Sequence, residues 1–287
     1  MSPHSWRIRR GPLQLSLGVI MGVLNVTPDS FSDGGLHFEE GDAMAAAHTM
    51  VAQGADLIDV GGESTRPGAQ PVDAAEEIRR VVPVIARLAD EGVVVSVDTS
   101  KTSVAREAIA AGANVINDVT GAGSPGMVEL MADSGAGVVL MHMQGTPRDM
   151  QVDPSYDDVV VEVADWLSER AQTLIDGGVS RESIAVDPGI GFGKTLTHNL
   201  ELLSRLPEIA DLGFPVVLGT SRKSFLGKLT GIEDPARRDE ATAITTALGF
   251  ERGARIFRVH DVARSRAALG VAAAIVTTQQ WEEWSQG

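Results

Sequence analysis

The sequence predicts an α/β fold, a single (β/α)8 (TIM) barrel, and three observations carry that prediction. Eight short apolar runs each end in a polar, glycine-rich or charged cluster, beginning at Asn25, Gly61, Asp98, Asn117, His142, Asp187, Gly219 and Arg258. A stretch of helical composition separates each cluster from the next, shortest after the sixth. The chain has 287 residues, near the usual size of one such barrel, so it reads as one domain over 1–287 with a core barrel over about 18–278. In that architecture the chemistry sits on the loops after the strands, and all eight clusters would share one mouth.

The elements follow in order. A lead-in strand precedes strand one, Val19 to Leu24, and a long glycine- and serine-bearing loop runs from Thr27 to Phe38. Helix one is expected over Asp42 to Gln53, ended by Gly54, and strand two over Asp56 to Val60. A second long loop, Gly61 to Pro71, leads to a helix over Ala74 to Asp90, whose Ile78, Val81, Val82, Ile85 and Leu88 share one face and whose Pro83 bends it. Strand three, Val93 to Val97, is a near-continuous apolar run, as a parallel strand buried on both faces requires. Helix Thr102 to Ala111, strand Asn114 to Ile116, helix Pro125 to Asp133, strand Gly137 to Met141 and helix Tyr156 to Asp176 continue the alternation. Strand Ser183 to Val186, a short helix His198 to Leu206 and strand Pro215 to Leu218 come next. A split helix, Lys223 to Lys228 and Arg237 to Glu251, then leads to strand Ala254 to Phe257 and a closing Ala-rich helix, Val262 to Thr278.

Composition narrows the function. The absence of cysteine excludes disulfides, thiolate catalysis and Cys-ligated metal, and fits a reducing, cytoplasmic setting. The start, Arg7-Ile8-Arg9-Arg10 followed by an apolar run, superficially resembles a signal peptide, but Pro12, Gln14 and Ser16 interrupt it and no small-residue cleavage site follows. No stretch is long and apolar enough to span a bilayer, so no membrane partner is expected. A net charge of −15 argues against nucleic acid. It does not exclude a small anion, because screening confines charge effects to roughly 8–10 Å, and Arg66, Lys223, Arg258 and His260 gather at strand ends.

Asp98 and Asp187 each follow a β-rich run and should point into the mouth, with Asn117 at the next strand end after Asp98. Carboxylates accept from several N–H donors, so the three side chains make a recognition edge for a flat, nitrogen-rich heterocycle. A single aspartate there could equally cap the helix that follows, an explanation that weakens when three such residues share a face. Lys223 opens a helix after strand seven. Arg258 and His260, separated by Val259, face one side of an extended strand end, where barrels of this type commonly hold phosphate. A diphosphate would match them, whereas an ion pair with a neighbouring acid is the ordinary fate of a lone arginine.

Gly189-Ile190-Gly191-Phe192-Gly193-Lys194-Thr195 fails as a phosphate-binding P-loop because Pro188 stands where glycine is needed. It reads better as a loop that approaches a ligand closely, with Phe192 offering an aromatic face. The two long loops have the composition of functional lids. Asn25, Asp29 and Asp33 are oxygen donors suited to Mg2+ bridging to a diphosphate. Asn25-Val26-Thr27 also matches a glycosylation sequon, but at a strand end of a cysteine-free chain. The six histidines show no zinc spacing.

Several of these segments resemble the dihydropteroate synthase family of pterin-binding barrels. They are Met21 to Gly35, Asp59 to Gly68, Ser96 to Thr99, Ile116 to Val119, His142 to Gly145, Asp187 to Lys194, Ser221 to Ser224 and Arg258 to Asp261. The likeness covers about Val19 to Val262, and its first two motifs are long and specific. It implies condensation of 4-aminobenzoate with 6-hydroxymethyl-7,8-dihydropterin diphosphate, giving 7,8-dihydropteroate and diphosphate. It also implies that Asp98, Asn117, Asp187 and Lys223 hold the pterin, and that Thr65, Arg258 and His260 engage the diphosphate. Asn25 would ligate Mg2+, Phe31, Pro67, Phe192 and Ser224 would surround 4-aminobenzoate, and Asp33, Arg66 and Lys223 would serve catalysis. A homodimer is implied as well, and the Ala-rich last helix, with Ala263, Ala267, Ala268 and Val271, permits close helix contact. Two other readings share the pterin edge: a methyltetrahydrofolate:corrinoid methyltransferase, which has no need of Arg258 and His260, and a non-catalytic pterin-binding paralogue, which would show degenerate loops.

Overall fold

Eight parallel strands close into one barrel: β3 (Val19–Asn25), β4 (Leu57–Gly61), β5 (Val95–Asp98), β6 (Val115–Asp118), β7 (Gly137–Met141), β8 (Ile184–Asp187), β9 (Val216–Leu218) and β10 (Ala254–Val259). The last pairs with the first through Ile256 opposite Val19 and Arg258 opposite Met21. The structure, a computed structural model, describes residues 5–27, 36–64, 71–146 and 149–277, and of residues 36–40 the backbone alone. Around the barrel run α1 (Leu36–Ala52), α2 (Ala74–Asp90), α3 (Thr102–Ala110), α4 (Met127–Ser134), α5 (Val159–Asp176), α6 (Leu196–Ser204), α7 (Leu206–Ala210), α8 (Ser224–Thr230), α9 (Asp239–Glu251) and α10 (Val262–Val276).

The strands are almost wholly buried because each has a core on both sides. Outward-facing Ile20, Ile58, Val97, Ile116, Val138, Val186 and Leu218 pack against the helices. Inward-facing Met21, Leu57, Val115, Val139, Ala185, Val217 and Ile256 fill the barrel's lower interior. The lead-in strand proves to be a hairpin, β1 (Ser5–Ile8) paired antiparallel with β2 (Gly11–Gln14). Its Trp6, Ile8 and Leu15 join the inner cluster, and Trp6 Nε1 donates to the Ser183 carbonyl at 2.8 Å. Arg9 N donates to the Asn114 carbonyl just before β6, so the hairpin stoppers the end where the strands begin. The opposite end is left for chemistry.

Several boundaries differ from expectation for local reasons. The first helix begins at Leu36, not at Asp42. Helix α5 starts at Val159 because Asp158 caps it, accepting from Val160 N and Val161 N, and this leaves Tyr156 in the preceding loop. The short helix expected over His198 to Leu206 starts at Leu196, where Thr195 and His198 form a capping box. It breaks at Arg205, and Pro207 then opens α7. In α2 the buried face is Val81, Val84, Ile85 and Leu88, with Pro83 exposed on the other side.

The stopper is expected to be a principal source of stability. Trp6→Ala should lower the free energy of unfolding by about 3–5 kcal/mol in urea titrations, the usual cost of truncating a large buried aromatic. A loss below about 1 kcal/mol would show that the hairpin is not integral to the core.

Candidate active site

Sheet register assembles the mouth. Asn25 lies opposite Gly61, Gly61 opposite Asp98, and Asp98 opposite Asn117, so one level of the barrel carries these residues on four adjacent strands. Asp187 ends β8 opposite Met141. The glycines show how tightly the groups converge. A Cβ on Gly61 would meet Asp98 Oδ2 at 3.6 Å and Asn25 Oδ1 at 3.8 Å. One on Gly219 would meet Asp187 Oδ2 at 3.8 Å, Lys223 Nζ at 3.8 Å and the Cβ of Arg258 at 3.9 Å.

Arg258 is the hub. Its Nε donates to Asp59 Oδ2 at 2.6 Å and its Nη2 to Asp98 Oδ2 at 2.5 Å. Asp59 Oδ2 also accepts from Asn117 Nδ2 at 3.0 Å, which leaves Asn117 Oδ1 as the acceptor end of that side chain. Sequence alone favoured a diphosphate contact for Arg258 over an ion pair. The structure gives it two carboxylates, and both lie inside the mouth instead of on the rim. Asp59 was not singled out beforehand, although a charge within an apolar run, two residues before Gly61, was the available signal.

Burial pushes the Asp98 carboxyl up to about 7, against the pull of Arg258 and with the charge of Asp59 adding to the rise. Burial also raises Asp187, opposed by Lys223 and by the Gly189 N–H, which donates to Asp187 Oδ1 at 2.7 Å. Burial lowers Lys223 to about 8, with Asp187 drawing it upward and Arg258 further down. The site therefore holds an acid, Asp98, and a base, Lys223, whose protonation is balanced near neutrality, a mark of functional clefts.

Lys223 and His260 are aimed by a strained turn. Arg222 has φ 60°, rare for a residue with a side chain. It is held there by paired bonds to Asp239, each 2.8 Å, and by Arg238 Nη1 donating to its carbonyl at 2.9 Å. The turn sends Ser221 toward His260, whose backbone N–H donates to Ser221 Oγ at 3.1 Å and whose Nδ1 lies 2.9 Å from it. It sends Lys223 toward the loop after β8, where Nζ donates to the Ile190 carbonyl and sits 4.5 Å from the centre of the Phe192 ring. Phe192 is half-buried and faces this cation, so it is not a core residue. Ser224 opens α8 beside Lys223 and is exposed.

The glycine loop packs against the end of β7 with no space for side chains. Gly189 has φ 67°, and a Cβ there would lie 1.8 Å from the His142 carbonyl; at Gly193, φ 61°, it would lie 2.5 Å from that of Gln144. Beneath the loop sits a buried pair that sequence reasoning missed. Lys194 Nζ lies 2.9 Å from His142 Nδ1. Burial lowers Lys194 to about 7, and burial together with the Lys194 charge lowers His142 to about 3. His142, which opens the cluster after strand five, is buried against Lys194 and belongs to this second layer.

The structure thus brings together Asn25, Asp98, Asn117, Asp187, Phe192, Lys223, Ser224, Arg258 and His260 at one end of the barrel. Phe31, Asp33, Thr65, Arg66 and Pro67 lie outside the described residues. Among the described residues no group of three or more His, Asp or Glu side chains is arranged to hold a metal ion. Asn25 Oδ1, at the mouth beside Gly61, is an oxygen donor that fits Mg2+, since that ion commonly takes one or two protein oxygens and fills its other positions with phosphate and water.

Residues 21–260 match the family described as pterin binding enzyme. The dihydropteroate synthase of Neisseria meningitidis serogroup C is 45% identical to this chain, over 94% of it and 96% of that protein. The structure of Xanthomonas albilineans dihydropteroate synthase with 4-aminobenzoic acid has a TM-score of 0.89 at 46% identity, covering 94% of this chain and 98% of that one. Burkholderia cenocepacia dihydropteroate synthase complexed with 7,8-dihydropteroate has a TM-score of 0.88 at 43% identity, covering 98% and 99%.

The raised Asp98 has a consequence for stability. An unfolded aspartate titrates near about 3.9, so between about pH 4 and pH 7 the folded protein holds more proton at this position than the unfolded chain. Its contribution to stability therefore falls as pH rises through that window. Relative to Asp98→Asn, which cannot titrate, the wild type should lose stability between about pH 4 and pH 7, read as urea midpoints. A difference that is flat, or grows in favour of the wild type, would contradict the placement of a reluctant carboxylate here.

Proposed function

This chain belongs to the pterin binding enzyme family, among the dihydropteroate synthases, and from that premise we infer what each residue of the mouth does. The reaction joins 4-aminobenzoate to 6-hydroxymethyl-7,8-dihydropterin diphosphate, giving 7,8-dihydropteroate and diphosphate in folate biosynthesis. The observation that carries the reading is the convergence of Asp98, Asn117, Asp187 and Lys223 at one barrel end, with Arg258 tying Asp98 to Asp59. A bicyclic ring rich in N–H donors and acceptors is the ligand such an edge suits. Asp98 and Asp187 accept from the ring, Asn117 accepts through Oδ1, and Lys223 donates to a ring oxygen or nitrogen.

The bond that breaks joins the 6-methylene carbon to the diphosphate oxygen. The bond that forms joins the same carbon to the arylamine nitrogen, which then loses a proton. A conjugated dihydropterin spreads positive charge from that carbon, so departure precedes attack, and the neutral arylamine needs no strong base. The chain's part is to stabilise the leaving charge and to order the partners. Arg258 Nη1, which makes no hydrogen bond among the described residues, and His260, oriented by Ser221, form the diphosphate side together with Thr65. Asn25 would hold Mg2+, which when bound supplies further neutralisation of the leaving diphosphate. Phe192 and Ser224 offer 4-aminobenzoate a wall beside Lys223, and Phe31 and Pro67, outside the described residues, would join them as the family resemblance implies. Asp33 and Arg66, outside the described residues, would serve catalysis with Lys223, as the family resemblance implies.

Two further proposals concern the whole molecule. The first is a homodimer through α8, α9 and α10. Exposed Leu229, Ile244 and Leu248 continue into a stripe on α10, Ala263, Ala267, Val271 and Ile275, at helical spacing. The second is a cytoplasmic location, supported by the absence of cysteine. No helix among the described residues is long and apolar enough to cross a membrane.

A coupled assay should show diphosphate release that depends on 4-aminobenzoate, and release without it, or none at all, would overturn the reaction. Asp187→Asn should weaken pterin binding by about 1.5–3 kcal/mol, roughly ten- to a hundredfold, as loss of a charge-assisted acceptor. Unchanged affinity in a folded variant would remove Asp187 from the site. Sedimentation at micromolar concentration should show a dimer that Ile244→Asp, on the exposed face of α9, converts to monomer. A monomeric wild type would end that proposal.

A further inference from the structure

Four successive carbonyls of the glycine loop are each held by a side chain: one from the turn before α8, two from the segment before α5 and one, Lys194, from the loop itself. Lys223 donates to Ile190, Gln151 Nε2 to Gly191 at 2.7 Å, Lys194 Nζ to Phe192 at 2.9 Å and the Tyr156 hydroxyl to Gly193 at 2.8 Å. Asn199 Oδ1 adds a fifth tie by accepting from Gly191 N at 2.6 Å. A segment with three glycines in five residues has little conformational preference of its own, so these ties decide where its one aromatic ring stands.

Lys194 differs from the other ties. It is 3% exposed, and the condensation described above gives it no task. A buried ammonium is costly unless it is well partnered. Its surroundings are known from every side: His142 after β7, Asp187 ending β8, Lys223 before α8, and the Tyr156 ring, 6.0 Å from Nζ, before α5. From α6, Asn199 Nδ2 reaches the Lys194 carbonyl at 3.5 Å. Burial keeps His142 neutral, so its Nδ1 accepts and the lysine donates. The imidazole is itself fixed, meeting Trp166 edge to face at 5.1 Å. Lys194 is thus a strut whose Nζ bridges the packed His142 ring and the Phe192 carbonyl.

We propose that Lys194, seated on His142, is a positioning residue for the arylamine half of the site, fixing the Phe192 ring that forms one wall of the 4-aminobenzoate space. The proposal rests on the assignment of that space under the proposed function. It makes Lys194 and His142 determinants of arylamine affinity that never touch the substrate. The pterin half takes its contacts from Asp98, Asn117, Asp187 and Lys223, and the strut reaches it only through its charge beside Asp187 and Lys223.

Lys194→Met keeps the length and apolar bulk of the side chain and removes both of its bonds. It should raise the KM for 4-aminobenzoate about five- to tenfold, the loss of one or two hydrogen bonds, with a clearly smaller loss of pterin affinity measured without arylamine. In the substrate-free protein, amide exchange over residues 189–195 should quicken. His142→Leu should act in the same direction, and His142→Gln, which restores an acceptor oxygen, should return the KM toward wild type. A wild-type KM for arylamine, an equal loss for both substrates, or unaltered loop exchange would each overturn the proposal. If Lys194→Met fails to fold, identical behaviour of His142→Leu and His142→Gln would do so. A wild type without arylamine-dependent turnover would refute the assignment of the site instead, and loop exchange would still decide whether Lys194 holds Phe192.

Discussion

The guanidinium of Arg258, shared between Asp59 and Asp98, is the interaction on which the rest of the mouth depends. Asp59 is wholly buried and Asp98 nearly so, and two carboxylates this close cannot both stay ionised in a dry interior without a cation between them. The arginine comes from the last strand and the acids from the second and third of the barrel, so the pairing reaches across the strand at which the ring closes. Removing one partner of such a buried set ordinarily costs about 3–5 kcal/mol, because the others are left uncompensated. Its effect here is also one of orientation: Asp59 holds the Asn117 amide by its nitrogen and so presents the oxygen. A recognition edge results from charges that satisfy one another first.

The barrel divides its interior between two tasks. The lower half is apolar and is shut by the Trp6 hairpin, whereas the upper half is lined by groups that water alone could not keep apart. Burial among the upper groups makes each charge there more costly, and Asp98, Lys223 and Lys194 all depart from their usual titration toward neutrality. The chain is strongly acidic as a whole, yet the mouth concentrates Arg258, Lys223, Lys194 and His260 within one end. Net charge therefore described the partners it excludes and said little about the ligand.

Much of this was legible in the sequence, for reasons that can be named. Parallel strands buried on both faces leave continuous apolar runs, and the residue closing each run must lie at the mouth, which located Asn25, Asp98, Asn117, Asp187 and Arg258. What was not legible depended on partners distant in the chain. Asp59 sits within a run and its role appears only when Arg258, nearly two hundred positions later, is found beside it. Lys194 and His142 belong to different loops, and nothing in either segment marks them as a pair. The left-handed Arg222 breaks the expectation of glycine in such a turn, which only the grip of Asp239 and Arg238 explains. Helix starts shifted wherever a cap, as at Asp158 or Thr195, overrode hydrophobic spacing.

The central claim is spatial: a single bicyclic ring lies among Asp98, Asn117, Asp187 and Lys223, with the arylamine against Phe192. A crystal structure of the protein soaked with a pterin and 4-aminobenzoate tests it most directly. The expected density shows the pterin within hydrogen-bonding distance of both carboxylates and of Asn117 Oδ1, and the benzoate ring packed on Phe192. Pterin density anywhere else on the molecule, with these four side chains untouched, would contradict the account.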